Sequence, residues 1–221
     1  MSPFALAAFR GVLGALLLSL AARAFAGPAP SQTFRDRLEV ALLAFLGIVA
    51  NQVLFISGLS RTTATHATLL TATVPVFTIL AGLVLGQERP TPRRLLAVPI
   101  AFGGVLFLLD PARVSFGGRT LAGDLLVTSN AAVYSFFLVR ARGILAHRSA
   151  LSFIAQAFRY GAIPIFFLAL PDLAKLRPAD VSRDAWWALA GVVLLGTAGS
   201  YALNAWALAR TSAATTAFFI Y

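Results

Sequence analysis

Polar side chains are scarce within the apolar runs of this chain, so the few that occur there stand out as chemistry. Asn51 and Gln52 are adjacent in one run, His66 opens the next with Thr73 beyond it, and Asn130 and Tyr134 lie four apart in another. Tyr201 and Asn204 lie three apart, with Trp206 close by. Residues three or four apart share a helix face; amide, hydroxyl and aromatic groups there can either line a cavity that orients a small molecule or bond one membrane helix to another. The parts of a catalyst are not among them. There is no H-E-x-x-H zinc motif, no G-x-S-x-G nucleophile elbow, no nucleotide-binding glycine loop and no aspartate pair deep in a span. The chain has no cysteine, which removes disulfides, thiolate metal sites and a cysteine nucleophile. The expectation is that the chain has no catalytic residue, metal or cofactor and is not an enzyme, an intramembrane enzyme being the alternative.

The elements that position these groups follow from composition. Of 221 residues, 59% are hydrophobic and 12% charged, about half the charged share of a soluble domain, roughly 25%. Too few polar residues remain to cover a soluble fold, so lipid is the expected partner. The net charge of +10 could suggest nucleic acid, but the arginines sit in short clusters between apolar runs, as cytoplasmic loops of membrane proteins do. A membrane-crossing helix needs roughly 20 apolar residues. The sequence predicts an all-α bundle with spans over 4–25, 38–59, 65–85, 95–109, 121–139, 151–170 and 186–208, and an eighth helix starting near Thr211. Pro75, flanked by Thr73 and Thr78, predicts a cavity-facing kink or hinge in the third span. Gly82, Gly103 and Gly104 read as packing surfaces. Asp124, after Gly123, reads as a helix N-cap, and His66 as a helix-end cap or a proton acceptor.

The chain also repeats itself. Shifted by 149 residues, Phe4, Ala8, Phe9 and Arg10 fall on Phe153, Ala157, Phe158 and Arg159, and Gly47, Leu54, Leu59, Arg61, Thr62 and Ala64 fall on Gly196, Leu203, Leu208, Arg210, Thr211 and Ala213. The first and sixth predicted spans are five helices apart, an odd number, so the second copy enters the membrane the other way up. Such inverted repeats are an architecture of secondary transporters. Alternate loops hold Arg23, Arg35, Arg37, Arg89, Arg93, Arg94, Arg140, Arg142, Arg148 and Arg210 on one side, against Arg61, Arg113, Arg119, Lys175, Arg177 and Arg183 on the other. The first set predicts the cytoplasmic face. Arg10 and Arg159 lie inside apolar runs, where snorkelling to the interface or a grip on an anion would accommodate them.

An ordered series of short stretches resembles the EamA-type branch of the drug/metabolite transporter superfamily. Ala8-Phe9-Arg10 looks like the start of the family's second helix. Asn51-Gln52-Val53-Leu54-Phe55, Gly58-Leu59 and Thr62-Thr63-Ala64 look like its third helix running into the fourth. Thr73-Val74-Pro75-Val76-Phe77-Thr78 with Leu85-Gly86-Gln87-Glu88 looks like the fourth, Gly103-Gly104-Val105 the fifth and Gly123-Asp124 the start of the sixth. The resemblance implies ten helices in two inverted halves, of which about eight are present. Residues 1–140 would form the first repeat without its first helix, and 141–221 the second, truncated in its fourth helix. It further implies a central cavity that places Asn51, Gln52, Phe55, His66, Thr73, Asn130, Tyr134, Tyr201, Asn204 and Trp206 as substrate-lining candidates. The implied function is transport, in the export direction, of small organic metabolites or drug-like compounds by alternating access, in a bacterial inner membrane. A passive channel or a structural membrane protein stays open as an alternative, and substrate identity, coupling ion and oligomeric state are not legible.

Overall fold

The computed structural model describes residues 1–27, 31–87, 91–92, 96, 99–100, 103 and 118–219. Regular structure among them is helical: α1 (Pro3–Phe25), α2 (Phe34–Ala44), α3 (Asn51–Leu59), α4 (Ala64–Thr71), α5 (Val74–Val84), α6 (Gly118–Leu145), α7 (Ala150–Lys175), α8 (Arg183–Gly191), α9 (Ser200–Leu208) and α10 (Ala213–Phe218). Two π-helical stretches, π1 (Phe45–Ala50) and π2 (Val192–Gly199), join α2 to α3 and α8 to α9. Among the described residues, six helices are long and apolar enough to cross a membrane: Pro3–Phe25, Phe34–Leu59, Ala64–Val84, Thr120–Leu145, Ala150–Lys175 and Arg183–Leu208. The span predicted over 95–109 falls almost entirely outside the described residues, as does Gly104.

Helix ends are set by the residues that satisfy free backbone groups. Ser2, Thr33, Thr63, Ser182 and Ser212 each accept a backbone N–H from three residues on. Asp36 answers Thr33 by accepting its backbone N–H at 2.9 Å, completing a capping box. α1 ends at Ala26, followed by Gly27 at φ 69°, the left-handed position that glycine takes without strain.

These ends recur. Moved 149 residues along, Phe34 falls on Arg183, Asn51 on Ser200, Leu59 on Leu208 and Ala64 on Ala213, all helix ends, while π1 falls within π2. The caps Thr33 and Thr63 fall on the caps Ser182 and Ser212. Even the terminating bond recurs: Arg61 Nη1 donates to the Ser57 carbonyl at 2.7 Å, and Arg210 Nη1 to that of Trp206 at 3.2 Å.

The described chain forms two compact units, one of residues 1–49 and 144–210, the other of residues 50–143 and 211–221. Each draws on both halves of the sequence. In the first, α1 packs along α7 through small residues. A Cβ on Gly11 would lie 3.6 Å from Ala162 Cα, and one on Gly161 would come within 2.8 Å of Ile48. Close approach of backbones is how apolar helices gain packing where lipid gives no hydrophobic drive. In the second unit α3 meets α6 the same way, at Gly58 and Gly123. A Cβ on Gly123 would stand 2.7 Å from the main chain of Arg61 and Thr62.

The third span runs Ala64–Val84, close to the expected 65–85, and its helix is interrupted just ahead of Pro75: α4 stops at Thr71, and Pro75 sits in the first turn of α5. Pro75 has no N–H to carry α4 onward, and in the turn before it Thr73 donates its hydroxyl to the Leu70 carbonyl at 2.5 Å. Asp124 is not the expected N-cap. α6 begins at Gly118, earlier than the expected 121, and this carries Asp124 into its second turn.

Because main chain cannot yield as a side chain can, Gly123→Ala should destabilise the protein by about 1–3 kcal/mol. Gly191→Ala, which meets nothing within 4 Å, should leave stability unchanged or slightly raised. Thermal unfolding of the two variants in detergent checks the contrast.

Candidate functional site

In the second unit α3, α4 and α6 bring several candidate residues together. Asn130 is buried, and its Nδ2 donates to the Asn51 carbonyl at 2.7 Å. That carbonyl stands where π1 gives way to α3, a place where the helical ladder changes step. The side-chain amides of Asn51 and Gln52 are half-buried and make no hydrogen bond among the described residues. A half-buried amide without a protein partner keeps its donors and acceptor for water or a ligand. Phe55, one turn on, is half-buried as well. Tyr134 is buried and stacks on Phe137 with ring centroids 5.7 Å apart.

Two candidates have structural duties in this unit. Thr73 is buried with its hydroxyl turned back on the Leu70 carbonyl. His66 faces a carboxylate: its Nδ1 lies 3.2 Å from both oxygens of Asp124. The Thr62 hydroxyl donates to the same carboxylate. With the His66 and Asp124 side chains only 14% and 12% exposed, the cluster ties the start of α4 to α6 beside the Gly58–Gly123 contact.

Tyr201, Asn204 and Trp206 belong to the first unit, on α9. Tyr201 is half-buried and meets Phe158 edge to face at 4.8 Å. Asn204 is half-buried, and its amide makes no hydrogen bond among the described residues. Trp206 is exposed, with the Arg210 guanidinium 4.2 Å from its ring centre, a cation–π contact. Arg10 does more than snorkel: its Nε donates to Thr197 Oγ1 at 3.0 Å, on π2. The candidates thus fall into two groups, one on each unit. In both, unpartnered amides lie on the helix that directly follows a π segment.

Several working residues escaped sequence reasoning. Ser135, fully buried, donates to the carbonyls of Val74 and Ala131 and so fixes the start of α5. A serine among apolar residues gives little warning of this. Gln156 is buried and pairs with Gln32 at 2.8 and 3.0 Å; an amide inside an apolar run was a usable signal.

The Asp124 cluster yields a stability order. Asp124→Ala leaves Thr62 and His66 without their shared acceptor and should cost about 2 kcal/mol or more. Asp124→Asn keeps an acceptor oxygen and should cost less. Thermal unfolding should rank native above Asn above Ala.

Comparison with known proteins agrees with this architecture. An uncharacterized transporter of Archaeoglobus fulgidus is 27% identical over 225 residues, covering 100% of this chain and 75% of the relative. The uncharacterized transporter YyaM of Bacillus subtilis is 22% identical over 86% of this chain, which spans only 63% of that relative's length. A solved crystal structure shares the fold at a TM-score of 0.78 and 17% identity, over 99% of this chain and 74% of that one. Residues 1–110 match the model of the EamA-like transporter family. Together with six membrane-length apolar helices, these matches identify an integral membrane protein of the transporter class, and the chain belongs to the EamA-like transporter family.

Proposed function

We propose that this protein carries small organic metabolites or drug-like compounds out of the cell, across a bacterial inner membrane, by alternating access between two inverted repeats. The observation that carries this reading is the recurrence, 149 residues apart, of helix starts, hydroxyl caps and π segments. Two copies an odd number of spans apart lie in the membrane with opposite polarity. Exchanging their conformations would close a site to one face and open it to the other. The π segments suit this motion, since a ladder already off its regular step can shift with few bonds lost. The break at residues 72–73 ahead of Pro75 supplies a second point of bending.

Solute contacts are proposed on each unit by itself: at Asn51, Gln52 and Phe55 on α3 in one, and at Tyr201 and Asn204 on α9 in the other, each on the helix that follows a π segment. Amides and aromatic rings without a carboxylate among them favour an uncharged, zwitterionic or aromatic solute over a polyanion. Asn130 acts as a positioning residue, since it holds the Asn51 main chain rather than presenting itself.

Counterflow in proteoliposomes, with the gene's full reading frame, tests the proposal. A carrier gives saturable uptake accelerated by solute preloaded on the far side, whereas flux that rises linearly without saturation would establish a channel instead. Gln52→Ala and Asn204→Ala should each raise the half-saturation concentration by about tenfold, the worth of one good hydrogen bond to a ligand. Pro75→Ala restores a backbone donor and lets α4 run into α5. It should lower turnover several-fold while leaving half-saturation near its native value.

A further inference from the structure

The first unit holds a cavity of about 460 Å³, bounded by Ser19 and Arg23 of α1, by Gln32 ahead of α2, and by Ser152, Gln156 and Arg159 of α7. Its volume lies within the roughly 300–1,000 Å³ of small-molecule sites. Among the described residues, none that line it carries a carboxylate.

The hydrogen-bonding capacity of its walls is one-sided. Gln32 Nε2 donates to Gln156 Oε1 at 3.0 Å, and Gln156 Nε2 returns the bond to Gln32 Oε1 at 2.8 Å. Each amide oxygen therefore already accepts an N–H from the other glutamine. Gln156 Nε2 also donates to the Tyr160 hydroxyl at 3.2 Å, which leaves an N–H of Gln32. The Ser19 Oγ is enclosed and has no hydrogen-bond partner. Arg23 and Arg159 are exposed and bring forked donors that accept nothing. Such a wall complements a ligand with several acceptor oxygens and negative charge.

The repeat sharpens the point. Arg10 and Arg159 are equivalent positions, 149 residues apart. Arg10 is engaged by Thr197. The residue standing to Arg159 as Thr197 stands to Arg10 is Ile48, which has no hydroxyl to offer. Arg159 therefore lacks the partner that holds its twin, and it lines the cavity instead. It lies nine residues beyond the start of α7, about 13 Å along the axis. At that depth a guanidinium is costly unless it faces a polar cavity or a partner.

We propose that this cavity binds a phosphate-bearing anion, with Arg23 and Arg159 as its charged contacts and Ser19 as an enclosed donor. A carboxylate offers two acceptor oxygens, fewer than the donors present, whereas a phosphate group offers more. The phosphate can come from a lipid headgroup entering from the bilayer or from a soluble phosphate compound. The site shares no residue with the solute contacts proposed on α3 and α9, and it stands whether or not the solute reading holds.

The test uses the full protein purified in a neutral detergent. Native mass spectrometry would count bound phosphatidylglycerol against phosphatidylcholine, and inorganic phosphate would be titrated at constant ionic strength as competitor. The native protein should retain phosphatidylglycerol in preference to phosphatidylcholine, or bind phosphate, or both. Arg23→Gln with Arg159→Gln should weaken this by about tenfold or more. Arg177→Gln with Arg183→Gln, an equal loss of charge outside the cavity, should not. Retention that phosphate cannot displace points to the headgroup, and displacement by phosphate to a soluble anion. Should the double variant fail to fold, the cysteine-free chain allows Ser152→Cys as a single reporter, whose thiol modification the bound anion should slow. Equal binding by the double variant and the native protein would overturn the proposal, as would a Ser152→Cys thiol indifferent to both ligands.

Discussion

A hydrocarbon bilayer offers a backbone no water to bond, and most features of this chain answer that constraint. Each amide left unpaired there costs several kcal/mol, so the apolar runs fold as helices. The hydroxyls within them obey the same rule. Thr68, Thr71, Thr78, Thr128 and Ser200 each donate to a carbonyl four residues back on their own helix. The side chains that depart from this pattern do the tertiary work. Asn130 crosses to the Asn51 main chain, Ser135 to Val74, and Arg10 to Thr197. Among the described residues the amides of Asn51, Gln52 and Asn204 and the hydroxyl of Ser19 make no hydrogen bond, which makes them correspondingly conspicuous.

Between the two proposed copies some features recur and others do not. Helix ends, hydroxyl caps and π segments recur at 149 residues, because they are set by local backbone geometry that each copy needs separately. Contacts within a unit have diverged, since each unit combines segments of both copies in different roles. Thr197 engages Arg10, whereas Ile48 packs against Gly161 and engages no arginine. One arginine of an equivalent pair has become a brace, and its twin lines a cavity.

The parts of this structure that were legible from residues alone are those with a local cause. Long apolar runs located the six spans found among the described residues. In the third span Pro75 marked the neighbourhood of the break, but a proline is compatible with either a kink or a helix start. Asp124 was misread because the start of α6 could not be placed from sequence, so a second-turn residue looked like a cap. The stretches FLGIVA and VVLLGTAG carry no mark of π geometry. The Gly58–Gly123 approach joins residues far apart in the chain, which no local pattern reports. For the candidate site, residue type singled out Asn51, Gln52 and Asn204 as polar groups within apolar runs. It reported neither the turn that the Thr73 hydroxyl closes nor the carboxylate that His66 faces.

The proposed inversion of the two copies is the claim on which the transport mechanism rests, and loop sidedness tests it most directly. The chain has no cysteine, so Ser31→Cys ahead of α2 and Ala179→Cys ahead of α8 can each be probed alone with an impermeant thiol reagent applied outside intact cells. These positions precede equivalent helices of the two copies. Inversion, with the arginine-rich loops inside, predicts labelling at 179 and none at 31. Labelling of both or of neither would place equivalent loops on one side of the membrane and contradict the inverted repeat.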